Sequence, residues 1–179
     1  MLDFKDILKF TDGGSWECDY DFKSLIQFID NEVEKSGLQL NPDFQRGCIW
    51  TDEQSSKFIE FVLQGGKTAK AIYLNKPSWQ SDHGLINGYD DYVCVDGLQR
   101  ITAIRKFMNN EIKAFGHYYR EFSGHIRGYC DMRVNINDLK TKEAVLRWYL
   151  EMNSGGVIHT KEELDRVQKL LDVERMKSA

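Results

Sequence analysis

No stretch of this chain approaches the ~18 unbroken apolar residues that a membrane-spanning helix needs. The opening segment, MLDFKDILKF, sets charges among its apolar positions, so a signal peptide is not expected there. Cysteine is sparse and scattered. Cys18, Cys48, Cys94 and Cys130 form no C-x-x-C pair and have no histidine nearby at zinc-ligand spacing. Reduced, mostly buried thiols and a cytoplasmic address are therefore expected. Positive charge is not in excess either. Lys and Arg total 24 against 28 Asp and Glu, a net −4, which excludes a surface basic all round and leaves room only for a local basic groove. The G-x-x-x-x-G-K-[ST] loop is absent, which removes the ordinary P-loop NTPase. There is no G-x-S-x-G elbow and no cysteine in a catalytic signature, and the one adjacent Asp-His pair, Asp82-His83, is not read as a ββα-metal nuclease motif. His83, His117, His125 and His159 lack metal spacing and read as exposed loop histidines, while the four tryptophans are far apart and read as packing residues. Internal repeats, low-complexity tracts and linkers are missing as well. Residues 1–179 thus read as one domain, long enough to bury a core without disulfides.

What the chain does contain is alternating short strands and helices. Trp16 to Tyr20 alternates loosely, as an edge strand would. From Asp21 as N-cap, Phe22, Leu25, Ile26, Ile29 and Val33 recur at helical spacing until Gly37 stops them. Leu38 to Leu40 reads as a short strand. Asn41-Pro42 then opens a turn, which puts Phe44, Gln45 and Arg46 on an ordered loop. Thr51 and Gln54 form a capping box for a helix through Phe58, Ile59 and Val62, ended by Gly65 and Gly66. Ala71 to Leu74 is a strand, and Asn75 to Asp91 a loop long enough to be functional or mobile. Tyr92 to Val95 reads as a buried strand, broken by Asp96-Gly97. From Leu98 the period becomes helical, with Ile101, Ile104 and Met108 on one face. Lys113 to Gly128 is irregular and aromatic. Tyr129 to Ile136 is a strand, and Leu139 to Met152 a helix with Val145, Leu146, Tyr149 and Leu150 inward. A tight turn follows from Asn153, and Thr160 with Glu163 opens a last helix burying Leu164, Val167 and Leu171. The interleaving predicts α+β or α/β on a small mixed sheet.

Three polar clusters interrupt this patterning, each at a junction between elements: Gln45 with Arg46, Asp96 with Gln99 and Arg100, and Asn153 with Gly155 and Gly156. At the start of the central helix, free backbone N–H groups, the helix dipole and an arginine fork converge as an anion site would, and phosphate is the commonest biological anion. On that reading Arg46 and Arg100 hold phosphate oxygens. Asp96 binds Mg²⁺ or orients the attacking group, and Gln99 holds a water or a base edge. The same residues also fit plainer roles. Asp96 could cap the helix with Arg100 in a surface ion pair, Arg46 could sit in a salt bridge or over Trp50, and Asn153-Ser-Gly-Gly could be a helix C-cap.

The order NPDFQRGCIW, VDGLQRITAI, LEMNSGGVIHTKEEL resembles the DGQQR-motif domain at the N-terminus of GmrSD-type modification-dependent restriction enzymes, across roughly Phe22 to Leu171. The resemblance implies a ParB/sulfiredoxin-like α+β fold: a small mixed sheet with flanking helices, and residues 139–179 as a C-terminal helical extension packed on it. It also implies nucleotide binding and hydrolysis that regulates cleavage of modified DNA. The motif falls on Asp96, Gly97, Gln99 and Arg100, which makes Asp96, Gln99 and Arg100 the catalytic candidates. The implied phosphate-binding set is Gln45, Arg46, Gly97, Arg100 and Asn153, with Mg²⁺ on Asp96 arriving with a nucleoside triphosphate. The implied partners are a nucleotide, DNA, and a separate nuclease subunit or host defence protein, with no membrane. Two departures keep alternatives open. The family's first Gln is Leu98 here, which cannot hydrogen-bond and so leaves binding without turnover as an alternative. The sequence also ends at Ala179 with no HNH nuclease domain, which fits a domain serving a separate nuclease or a phage- or mobile-element-encoded regulator or decoy. Kinase or direct nuclease activity, known among relatives of that fold, is a further alternative.

Overall fold

Each of the first three helices forms where an apolar helical period meets a clear start or stop. In a computed structural model of the protein, the described residues are 3, 4, 7, 16–45, 47–79, 88–126, 130–154 and 161–178, the side chains of Ser154, Lys161, Glu163 and Ser178 excepted. Helix α1 spans Phe22–Ser36, α2 Asp52–Leu63 and α3 Leu98–Met108. Asp21 caps α1, its Oδ1 accepting from Ser24 N–H at 2.9 Å, and Gly37 closes the helix at φ +72° in the left-handed region. The box at the start of α2 forms in both directions. Gln54 N–H donates to Thr51 Oγ1 at 3.2 Å, and Thr51 N–H donates to Gln54 Oε1 at 2.9 Å.

Four strands make one mixed sheet: β1 Trp16–Tyr20, β2 Ala71–Asn75, β3 Val93–Asp96 and β4 Met132–Asn137, in the order β1-β4-β2-β3. β1 and β4 are antiparallel, β4 and β2 parallel, β2 and β3 antiparallel. Two further helices follow, α4 Lys142–Ser154 and α5 Lys161–Ser178. The architecture is α+β, as expected. No helix among the described residues is long and apolar enough to cross a membrane.

The two faces of the sheet are covered unequally. Helices α1–α3 cover one face through Leu25, Ile29, Ile59, Val62, Ile101, Ile104 and Phe107, packed on Ile72, Leu74, Cys94, Met132, Val134 and Ile136. Each such buried side chain is worth about 1.5–3 kcal/mol over leaving it exposed. Ion pairs from Arg105 to Asp30 and from Lys106 to Asp52 tie α3 to α1 and α2 at the surface. On the other face, α4 and α5 bury Val145, Leu146, Trp148, Tyr149, Val167 and Leu171 against Val93, Val95 and Phe44. Trp148 meets the Tyr73 ring edge-on at 5.8 Å. That cover sits over β3 and its neighbour, and the face of β1 and β4 beyond it is polar.

Several boundaries differ from the sequence reading. Leu38–Leu40 is no strand of its own. Only Gln39 bridges Val93, because a single residue reaches the β3 edge before Asn41-Pro42 turns away. Asn75 ends β2 and is buried, its amide holding both Leu139 N–H (2.8 Å) and Leu139 C=O (3.1 Å). Phe107, not Met108, completes the buried face of α3. α4 runs on through Asn153 and Ser154, where a polar turn was expected. The second capping box, at Thr160, lies outside the described residues.

A polar cavity on the open sheet face

The open face is crossed by a row of polar side chains, one from each strand. Pairing sets Glu17 opposite Asn135, Asn135 opposite Tyr73, and Tyr73 opposite Asp96. A second row sets Asp19 opposite Arg133 and Arg133 opposite Ala71. Paired residues share a face of the sheet. Asp96 joins the row through an irregularity: Leu74 pairs with Cys94 but Tyr73 with Asp96, which leaves Val95 as an extra residue. Cys94 lies in the α1–α3 core, so strict alternation would send Asp96 into that core too. The bulge turns the carboxylate to the open face instead.

These rows floor a cavity of 770 Å³, within the ~300–1,000 Å³ span of small-ligand sites. Its walls are Lys67 and Lys70 from the α2–β2 connection, Asp131 before β4, and Arg100 from the first turn of α3. The connection turns through Ala69 at φ +56°, a strained conformation for a residue with a Cβ.

Cations and carboxylates are balanced in the cavity, and most are committed to each other. Arg133 forks onto Asp19 at 2.9 and 3.0 Å, and that hydrogen bonding holds the Asp19 carboxyl below its usual range. Arg100 Nη1 donates to Asp96 Oδ2 at 2.9 Å and to Ala71 C=O at 2.8 Å, which ties α3 to β3 and β2 through one nitrogen. The pair is partly solvated, with the Arg100 side chain 20% and Asp96 36% exposed. Asp96 does not cap α3; Gly97 occupies the N-cap, without a side-chain bond. Burial pushes the Asp131 carboxyl up and the Asp21 charge adds to it, with Lys70 opposing.

The other candidates stand apart from this cavity. Gln99 grips the 47–50 loop with both ends of its amide: Oε1 accepts from Ile49 N–H (3.0 Å) and Trp50 N–H (3.1 Å), and Nε2 donates to Gly47 C=O (2.7 Å). Gln45 Nε2 donates to Cys94 C=O at 2.5 Å, and Arg166 of α5 donates to the carbonyls of Phe44 and Gln45. The glutamines of two motifs, about fifty residues apart, thus fasten one loop onto the β3–α3 junction. Gly97 adopts φ +123°, and a Cβ there would lie 3.0–3.2 Å from Ile72 atoms. Asn153 donates to Tyr149 C=O one turn back in α4 (2.7 Å) and touches none of the other candidates. Arg46, Gly155 and Gly156 lie outside the described residues. The structure therefore brings Asp96 and Arg100 to the cavity, places Gln45, Gly97 and Gln99 around the same junction, and leaves Asn153 separate.

Sequence reading passed over Glu17, Asp19, Lys67, Lys70, Arg133 and Asn135. The signal was there in the polar positions alternating with apolar ones in WECDY and MRVNIN. A family model described as the GmrSD restriction endonuclease, N-terminal domain, matches residues 22–128. That span takes in Gln45, Gly97, Gln99 and the Asp96–Arg100 pair and stops short of Asn153. No curated protein and no solved structure matches the chain.

Proposed function

Because this chain belongs to the family of the GmrSD restriction endonuclease N-terminal domain, we propose that its sheet-face cavity binds and hydrolyses a nucleoside triphosphate in the course of DNA restriction. One observation carries the reading: the partly solvated Asp96–Arg100 pair opens onto a 770 Å³ cavity that Lys67 and Lys70 also line. Phosphoryl transfer asks a protein mainly for position and charge neutralisation. Arg100 neutralises phosphate oxygens in fork geometry, and the two lysines add point charges. Asp96, released from Arg100 by the incoming phosphate, orients the attacking water or takes a metal.

Mg²⁺ binds through one or two carboxylates plus substrate phosphates, and the partly exposed Asp96 carboxylate fits that use. Among the described residues no three His, Cys, Asp or Glu side chains are placed to hold a metal ion together. A metal here would therefore be held as much by the triphosphate as by Asp96, and its chemistry would be to draw charge from the phosphate oxygens. Gln45 and Gln99 act as positioning residues, fastening the loop that follows Phe44 onto the β3–α3 junction that carries Asp96 and Arg100.

Hydrolysis of each common triphosphate by wild type and by Asp96→Ala tests this. A loss of about a hundredfold is expected for removal of a charge-stabilising group; equal rates would end the assignment. A second reading, binding without turnover, is favoured by Leu98, which is 7% exposed and packs inward from the first turn of α3. Calorimetric affinity for Mg²⁺-triphosphate with no product release would select it.

A further inference from the structure

A second cavity, of 740 Å³, opens on the α1–α3 side of the sheet and shares no lining residue with the first. Its wall is aromatic. The Phe107 ring meets Tyr119 edge-on at 5.5 Å and Phe122 at 5.8 Å. Phe115 and Phe122 remain 45% and 42% exposed, apolar surface that folding has not covered. Phe115 is held there against its backbone preference. Phe115 and Gly116 form a two-residue hairpin loop between Ala114 and His117, at φ +51° and +78°. Such loops favour Asn, Asp or Gly at both central positions, and a bulky aromatic at positive φ is an outlier that invites a functional explanation.

Two cations line the same cavity, Lys23 from α1 and Arg120 from the 3₁₀ turn Tyr119–Glu121. The Arg120 guanidinium lies 5.5 Å over the Tyr118 ring, which holds it at the segment's surface. Among the described residues the single lining carboxylate, Asp21, is engaged by Ser24 N–H and hydroxyl at the start of α1.

We propose that this cavity binds one unpaired nucleotide of a DNA strand, with the base stacked on Phe115 and Phe122 and the flanking phosphates on Lys23 and Arg120. Every base offers a π face to aromatic side chains, and cations alongside track the backbone. Cations on two separate elements suit two successive phosphates of a strand, whereas a free mononucleotide carries its charge at one point. An apolar peptide would leave both cations unmatched. The site stands independently of the triphosphate reading.

Fluorescence anisotropy of the full chain with a labelled single-stranded oligothymidylate tests it, with an abasic strand of equal length and free thymidine monophosphate as comparisons. The oligothymidylate should bind about tenfold tighter than the abasic strand, and Phe122→Ala should remove that advantage. Arg120→Gln should weaken both strands and lower the salt slope by about one contact. Phe115→Asn should weaken binding while the melting temperature holds or rises, since Asn before Gly suits the turn. Equal affinity for the abasic strand, unchanged affinity in both aromatic variants, or displacement by thymidine monophosphate at the oligonucleotide's own Kd would each overturn the proposal.

Discussion

Replacing Gln99 by Met keeps the length of the side chain and removes its hydrogen bonds to Gly47, Ile49 and Trp50. Cys48 and Ile49 are exposed, so water can take over the Ile49 N–H, and that bond counts for about 0.5 kcal/mol. Gly47 and Trp50 are half-buried, and their groups count for about 1 kcal/mol each. The expected loss is about 2–3 kcal/mol, which for a chain of this size lowers Tm by roughly 4–12 °C. Gln99→Glu separates the two ends of the amide. It keeps the acceptor for Ile49 and Trp50, with a charge to strengthen it, but sets a second oxygen against the Gly47 carbonyl now 2.7 Å from Nε2. Differential scanning calorimetry gives the stabilities, and limited proteolysis at 47–50 reads the loop. Because Gln45 fastens the same loop to Cys94 C=O, Gln45→Met with Gln99→Met should cost less than the sum of the single changes. A Gln99→Met protein with Tm within ~1 °C of wild type and an unchanged cleavage pattern would refute the clamp.

Gly97→Ala should be severe: a Cβ at φ +123° brings a backbone cost of about 1–3 kcal/mol, and its 3.0–3.2 Å approach to Ile72 adds overpacking of about 1–3 kcal/mol. Soluble expression and urea unfolding read it, and wild-type stability would show that the junction yields easily. The thiols should separate sharply, since Cys48 is exposed while Cys94 and Cys130 are buried. A thiol reagent should modify Cys48 in the native state and the buried pair only on unfolding. Burial, with the Asp96 charge adding, pushes the Cys94 thiol from 9.0 up to about 12. The folded chain thus keeps a proton that the unfolded chain releases, so this contribution to stability is whole below 9.0 and is lost as pH climbs toward 12. Cys94→Ala should flatten the alkaline fall in the urea midpoint; an unchanged slope would show that other groups set it.

Local patterns carried most of the elements and little of the site. Asp21, Gly37 and the Thr51–Gln54 box act through contacts within a few residues, so their roles could be read directly. The α+β class followed from the alternation of periods. What stayed hidden depends on register. Whether Asp96 faces core or cavity turns on one extra residue at Val95 opposite β2, a strand some twenty residues earlier in the chain. Gln99 looked like a group for a ligand because a polar residue in a helix's first turn is ordinarily free, and only the folded loop shows its amide filled by backbone. The polar positions of β1 and β4 belong to no local motif, and the sequence marks those stretches only as strands. They come to line one cavity because the strand order places Arg133 between Asp19 and Ala71, whose carbonyl also receives Arg100. The same order explains why the motif at β3–α3 cannot be judged alone. Its arginine is oriented by β2, its carboxylate by a bulge, and the cations beside it by the strained Ala69 turn, so the chemistry assigned to Asp96 and Arg100 belongs to the sheet as much as to their own pentapeptide.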